Sequence, residues 1–255
     1  MKPKVMVLYG EGLNCEKETE HSFNTSGADT KRVLIQDMVK NSKMIKDYQI
    51  IAFPGGFLHG DSLGAGRLMG AIIRKYMLED LQRFIEDDRL VIGICNGFQV
   101  LAHAGLLPRL NGRYGERKIT LTDNGCGRFR DYWVHLKTES EKCVWTKGIE
   151  RLYLPVRHGE GRFVTDGDTL KSLYEQDLVA LKYVPGDGLG DLPYNPNDSQ
   201  DDIAGICDPT GRIFGLMPHP EAYNHKTNHP RWTREELPEE GLGLQVYKNG
   251  VKYFE

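Results

Sequence analysis

Cys95 lies between Gly93 and Gly97 in "VIGICNGFQVLAHAG" (91–105), where an apolar run gives way to a helical pattern. A cysteine that only fills core space needs no glycine two residues away on each side. A thiol on a sharp strand-to-helix turn does, because its neighbours at the second position on either side crowd the elbow. The helix beginning at Asn96 would turn its N-terminal amides and positive dipole end toward that thiol, favouring a thiolate and offering a donor to an oxyanion. Acyl transfer by a thiol also needs a proton carrier. Among eight histidines, His219 stands out in "MPHPE" (217–221), flanked by Pro218 and Pro220 with Glu221 two residues on. Prolines favour extended backbone, in which residues i and i+2 face the same way, so Glu221 is expected to back the His219 imidazole. A third feature is "AFPGGFLHGD" (52–61), whose Gly55 and Gly56 follow a strand and expose backbone amides as a second oxyanion donor.

These residues need a frame, and the first hundred positions supply one. Strand-like runs at 5–10, 31–36, 49–56 and 89–94 alternate with helical patterns at 14–26 and 66–88, and a helix follows from Asn96. Strands separated by helices pair in parallel with right-handed crossovers. The expectation is an α/β protein with one doubly wound, mostly parallel, flavodoxin-like sheet covered by helices on both faces. Reactive groups then collect at the carboxyl ends of its strands, where Cys95 falls. Beyond Pro108 the segments 116–124, 129–138, 151–164 and 178–184 read as antiparallel additions at one side, with a short helix at 168–176. Residues 185–202 read as loop, and 203–221 as a hairpin turning at "DPTG". The chain is read as a single domain, 1–255, with 222–255 a C-terminal extension of it.

The bulk numbers narrow the function. The 255 residues carry 33 Lys and Arg against 36 Asp and Glu, a formal charge of −3, which gives no electrostatic reason to expect nucleic acid or an anionic membrane. Hydrophobic residues are 39% and charged residues 27%, ordinary for a globular chain. No run approaches a membrane span and the N-terminus lacks a signal-peptide layout, so the cytoplasm is expected. The five cysteines are scattered with no CxxC pair, which argues against a disulfide framework or a structural zinc site and for reduced thiols. Cys15 is the rival nucleophile, since "LNCE" also places it near a helix N-terminus. It is expected to be structural or partner-facing, with no His–Glu pair of its own.

Taken together, "GLNCE", "FPGGF…GD", "GICNGFQVL…GLLP", "HGEGRF", "NPN", "IAGI" and "GLMPHPE" resemble the class I glutamine amidotransferases. More narrowly they resemble the glutaminase subunits of phosphoribosylformylglycinamidine synthase in purine biosynthesis. The resemblance spans most of the chain. It implies Cys95 as nucleophile, His219 as base and Glu221 as its supporting carboxylate. It puts oxyanion donors near Gly55–Gly56 and at Asn96, and pocket-shaping roles on Gln99 and on His158 of the "RHGEG" loop. Free glutamine is the implied substrate. A synthase subunit that binds formylglycinamide ribonucleotide is the implied partner, optionally with a small third subunit. No metal or organic cofactor is implied for this chain. ATP and Mg belong to the partner, and no G-x-x-x-x-G-K-[ST] loop is present here. Two other readings stay open: a free-standing γ-glutamyl hydrolase or peptidase, and a catalytically idle binding subunit.

Overall fold

Strand β1 (Lys4–Tyr9) is buried at its four central positions, and β3 (Ile50–Phe53) and β4 (Leu90–Ile94) are buried throughout. A strand with no exposed residue is covered on both faces, which is what parallel strands with helical crossovers require. The computed structural model describes residues 2–188 and 190–255. Met1 and Leu189 lie outside that description, so the loop reading of 185–202 is tested only for its other residues.

With β2 (Asp29–Leu34) and β11 (Ile213–Leu216), these strands pair in parallel in the order β2-β1-β3-β4-β11. Helix α1 (Glu16–Thr25) connects β1 to β2, and α3 (Arg67–Tyr76) and α4 (Leu78–Glu86) connect β3 to β4. Between them, α2 (Ile35–Lys40) follows β2 directly. The sheet continues through β10 (Ile203–Cys207), β9 (Val179–Val184), β6 (Arg130–Thr138) and β7 (Arg151–His158), all antiparallel.

Three expectations need revision. The pattern over 66–88 is two helices, because Met77 at φ −133 and ψ −6 leaves helical geometry between α3 and α4. Residues 151–164 split into β7 and β8 (Glu160–Thr165). Strand β8 pairs with β5 (Ile119–Asp123) in a separate two-stranded ribbon rather than extending the sheet. Alternating hydrophobicity marks a half-buried strand, and it does not say which partner receives it.

Helix α5 (Asn96–Ala104) leaves β4 at Cys95 and is buried at every position. Helix α6 (Gly167–Glu175) lies between β8 and β9, N-capped by the Asp166 carboxylate, which accepts from the Thr169 N–H at 2.8 Å. The extension at 222–255 is tied down by α7 (Leu244–Lys252), whose Tyr247 ring meets Phe23 of α1 edge-on at 4.8 Å. Among the described residues no helix is long and apolar enough to cross a membrane.

Candidate active site

The loops that leave β1, β3, β4 and β11 at their carboxyl ends carry Cys15, Gly55–Gly56, Cys95 and His219. In parallel sheets these ends meet at one edge, so residues remote in sequence are brought together by topology alone. Cys95 holds φ 52 and ψ −106, outside the regions open to most side chains. The surroundings enforce this conformation. The Cys95 N–H donates to Leu216 O of β11 at 2.8 Å. A Cβ on Gly97 would fall 1.9 Å from Phe53 O of β3, and one on Gly93 would fall 2.7 Å from the Gly97 carbonyl. The two glycines let helix α5 turn directly against β3, and the elbow is the result.

His219 and Glu221 are fully buried, and His219 Nδ1 lies 2.5 Å from Glu221 Oε1. The pairing is as expected but its cause differs. His219 is extended, whereas Pro220–Ala222 forms a single 3-10 turn that brings the carboxylate back to the ring. Burial opposes charge on the imidazole. Glu221 first, then the Cys95 sulfur, overcome it and hold the His219 pKa well above its ordinary value. Burial likewise opposes ionisation of Glu221, but His219 holds its pKa below the usual carboxylate value. Arg157 Nη2 adds a cation 3.9 Å from Glu221 Oε1.

Gly55 and Gly56 lie against the loop after β1. A Cβ on Gly55 would come 2.7 Å from His219 Cε1, and Gly56 at φ +139 is pressed against Leu13 and Asn14. The Gly55 carbonyl accepts from Cys15 N at 3.3 Å, and Phe57 N donates to Gly12 O at 2.7 Å. Among the described residues, the Gly55 and Gly56 amides have no backbone acceptor. Asn96 stands in the first turn of α5, where amides lack intrahelical partners.

Gln99 and His158 line the same small cavity as Cys95, together with Asp61, Arg157 and Glu160. The Gln99 amide donates to Glu160 O and accepts from Asn96 Nδ2. His158 is buried and stays neutral at physiological pH: burial first, then the charge of His219, pull its pKa down to about 3. Its Nε2 faces Asn197 Nδ2 at 3.4 Å, which gives the "NPN" motif a physical task.

Sequence reasoning missed two features. Cys15 has the same His–Glu pair as Cys95, its Sγ lying 3.9 Å from His219 Nδ1. Asp61 and Glu160 bring two carboxyl groups to the cavity, and burial, then the Glu160 charge, raise the Asp61 pKa to about 6. The "GD" and "HGEG" motifs contain both residues, but nothing in their spacing joins them.

A family model of CobB/CobQ-like glutamine amidotransferase domains matches residues 2–254. Phosphoribosylformylglycinamidine synthase subunit PurQ of Methanococcus maripaludis strain S2 is 42% identical over 99% of this chain and 97% of its own. The same-named subunit of Dehalococcoides mccartyi is 43% identical over 99% and 98%. The chain belongs to the PurQ family of glutamine amidotransferases. Among solved structures, PurLQS from Thermotoga maritima aligns with this amidotransferase over all of both chains, at TM-score 0.75 and 28% identity. A Thermotoga maritima glutamine amidotransferase 16% identical, covered over 91% of this chain and 81% of its own at TM-score 0.54, shares the fold.

Proposed function

We propose that this amidotransferase hydrolyses glutamine to glutamate and ammonia through Cys95, His219 and Glu221, and that the ammonia serves a synthase subunit making formylglycinamidine ribonucleotide in purine biosynthesis. The strained Cys95 elbow, one strand away from a buried His–Glu pair, carries the reading. The Cys95 thiolate attacks the side-chain amide carbon. The oxyanion is held by backbone amides at Gly55–Gly56 and at Asn96, each donor worth roughly 3–4 kcal/mol by comparison with other acyl-transfer sites. Protonated His219 gives its proton to the leaving ammonia and then activates the water that cleaves the γ-glutamyl thioester. Glu221 keeps the imidazole oriented and supports its charge. Asp61 and Glu160 offer negative charge to the substrate's α-ammonium, and Gln99 and His158 shape the wall. ATP and Mg act on the partner, and this chain needs neither for its own step.

Phe57 and Phe129 stand 43% and 51% exposed at the mouth of the cleft, their ring centroids 6.3 Å apart. Phe57 directly follows the Gly55–Gly56 turn, so a synthase partner that covers it also sets the peptide orientation of the oxyanion donor. One donor is worth roughly 10²–10³ in rate. The isolated chain should therefore release glutamate at least tenfold more slowly than the chain with synthase partner and nucleotide. Steady-state glutamate release with and without the partner tests this. Full activity of the lone chain, with cleavage of γ-glutamyl peptides, would favour a free-standing hydrolase.

A further inference from the structure

The geometry points to a zinc-binding site formed by Cys15, His219 and Glu221, at which Zn²⁺ switches the glutaminase off. The three ligating atoms come from the loop after β1 and from the turn after β11, and all lie within 4.8 Å of one another. A thiolate, an imidazole and a carboxylate are a zinc donor set, and three protein ligands leave the fourth position of a tetrahedral ion open to water. All three residues are buried, and the cleft reaches Cys15 and His219 past Asn14, Phe57, Phe129 and Asp131, so the cluster has an entrance. Glu221 Oε2 is buried without a hydrogen-bond partner among the described residues, a lone pair that the triad leaves unused.

The distances require little movement. Tetrahedral zinc with ordinary bond lengths places its sulfur and nitrogen ligands about 3.6 Å apart. Cys15 Sγ and His219 Nδ1 are already 3.9 Å apart. His219 Nδ1 and Glu221 Oε1, at 2.5 Å, separate as the metal replaces their shared proton. Arg157, 37% exposed and 3.9 Å from Glu221 Oε1, faces solvent and can withdraw from the metal charge. Binding releases the thiol proton of Cys15 and the Nδ1 proton of His219 to water.

Inhibition follows from which ring nitrogen is taken. With Nδ1 on the metal, the imidazole keeps its proton on Nε2 and has no lone pair left with which to deprotonate Cys95 or water. The Glu221 carboxylate is withdrawn from the ring in the same event. Zinc thus disables the base without touching the nucleophile, so kcat falls and the KM for glutamine is preserved. The inhibition rests on the triad reading given above; the binding does not.

The test uses the full chain with Zn²⁺, and with Co²⁺ as a spectroscopic probe. One equivalent should bind, and Co²⁺ should show a thiolate charge-transfer band that survives Cys95→Ser and disappears in Cys15→Ser and Cys15→Ala. The zinc concentration that halves glutaminase activity, measured relative to each variant's own metal-free rate, should rise at least tenfold without Cys15. In the unaltered chain, Zn²⁺ should protect Cys15 from alkylation, read by mass mapping, and leave Cys95 reactive; this measurement needs no variant to fold. A band lost with Cys95→Ser and kept with Cys15→Ser, or protection of Cys95 alone, would overturn the proposal. Bound metal with an intact Cys15 signature but undiminished activity would keep the site and sink the triad assignment instead.

Discussion

Cys95 and Cys15 are each 5% exposed, each precedes the first turn of a helix, and each acts on His219. They differ in their backbone. Cys95 is wedged at φ 52 between β4 and α5, with Gly93 and Gly97 removing the atoms that would clash. Cys15 sits at φ −107 in relaxed geometry, its Sγ directed to Asn14 Oδ1 at 3.2 Å and to the ring nitrogen that Glu221 already holds. Burial raises the Cys15 pKa, and the His219 hydrogen bond only partly offsets it. On the proposed roles, a helix N-terminus and a nearby histidine are not enough to make a nucleophile. The surroundings also differ: Cys95 Sγ is directed to Arg157 O at 3.8 Å, and among the described residues His219 Nε2 has no hydrogen-bond partner.

The comparison breaks most cleanly at the sulfur. Cys95→Ser should lower glutamine hydrolysis by roughly 10³ or more with the fold intact, since the alcohol is far less nucleophilic at neutral pH. A glutamine-analogue electrophile should modify Cys95 and spare Cys15 on mass mapping. Activity within tenfold of the parent, or an adduct confined to Cys15, would reverse the two roles. His219→Ala should cost about 10³ in kcat and Glu221→Ala only about 10–10², because the imidazole moves protons and the carboxylate orients it. Equal losses in folded variants would mean that Glu221 does more than orient.

The frame can be attacked without altering the thiol. Gly97→Ala puts a methyl into the Phe53 carbonyl, and should lower unfolding free energy by about 3 kcal/mol while sharply reducing activity, read by denaturant titration and glutamate release. The smallest effect concerns Asp61. Its folded pKa of about 6 lies above the ordinary carboxylate value of 3.8. Its stabilising contribution is therefore full below pH 3.8 and is lost as pH rises through 6. Asp61→Asn should match the parent in stability near pH 4 and exceed it at pH 8, by at most about 1 kcal/mol once solvent screening is allowed for. It should also raise the KM for glutamine, and identical stability curves at pH 8 would remove the buried-charge argument.

Much of this was legible in local sequence. The elbow is written in Gly93, Cys95 and Gly97 because steric crowding acts over two residues. Helix α5 spans Asn96–Ala104 and begins where the pattern places it. The His219–Glu221 pair was legible for a partly wrong reason, since a 3-10 turn rather than extended chain joins them. What local patterns could not carry was partner choice between distant segments. Cys15 reaches His219 across 204 positions, and that contact exists only because β1 and β11 open at the same edge of the sheet. The β5–β8 ribbon escaped for a related reason: its alternation specifies a buried face without naming the strand beside it.

The hydrogen bond from Cys95 N to Leu216 O has a consequence for exchange with solvent deuterium. This amide is the last rung joining β4 to β11, where Ile94 pairs with Leu216 and every strand residue is buried. Rungs buried between core strands open rarely, so the Cys95 amide should exchange slowly. Among the described residues the Gly55 and Gly56 amides across the cleft have no backbone acceptor to break, and they should exchange by local fluctuation. The proposed nucleophile and its proposed oxyanion donors should thus sit at opposite ends of the molecule's protection scale. Spacing is held by the part that cannot relax, and adjustment is left to the part that can.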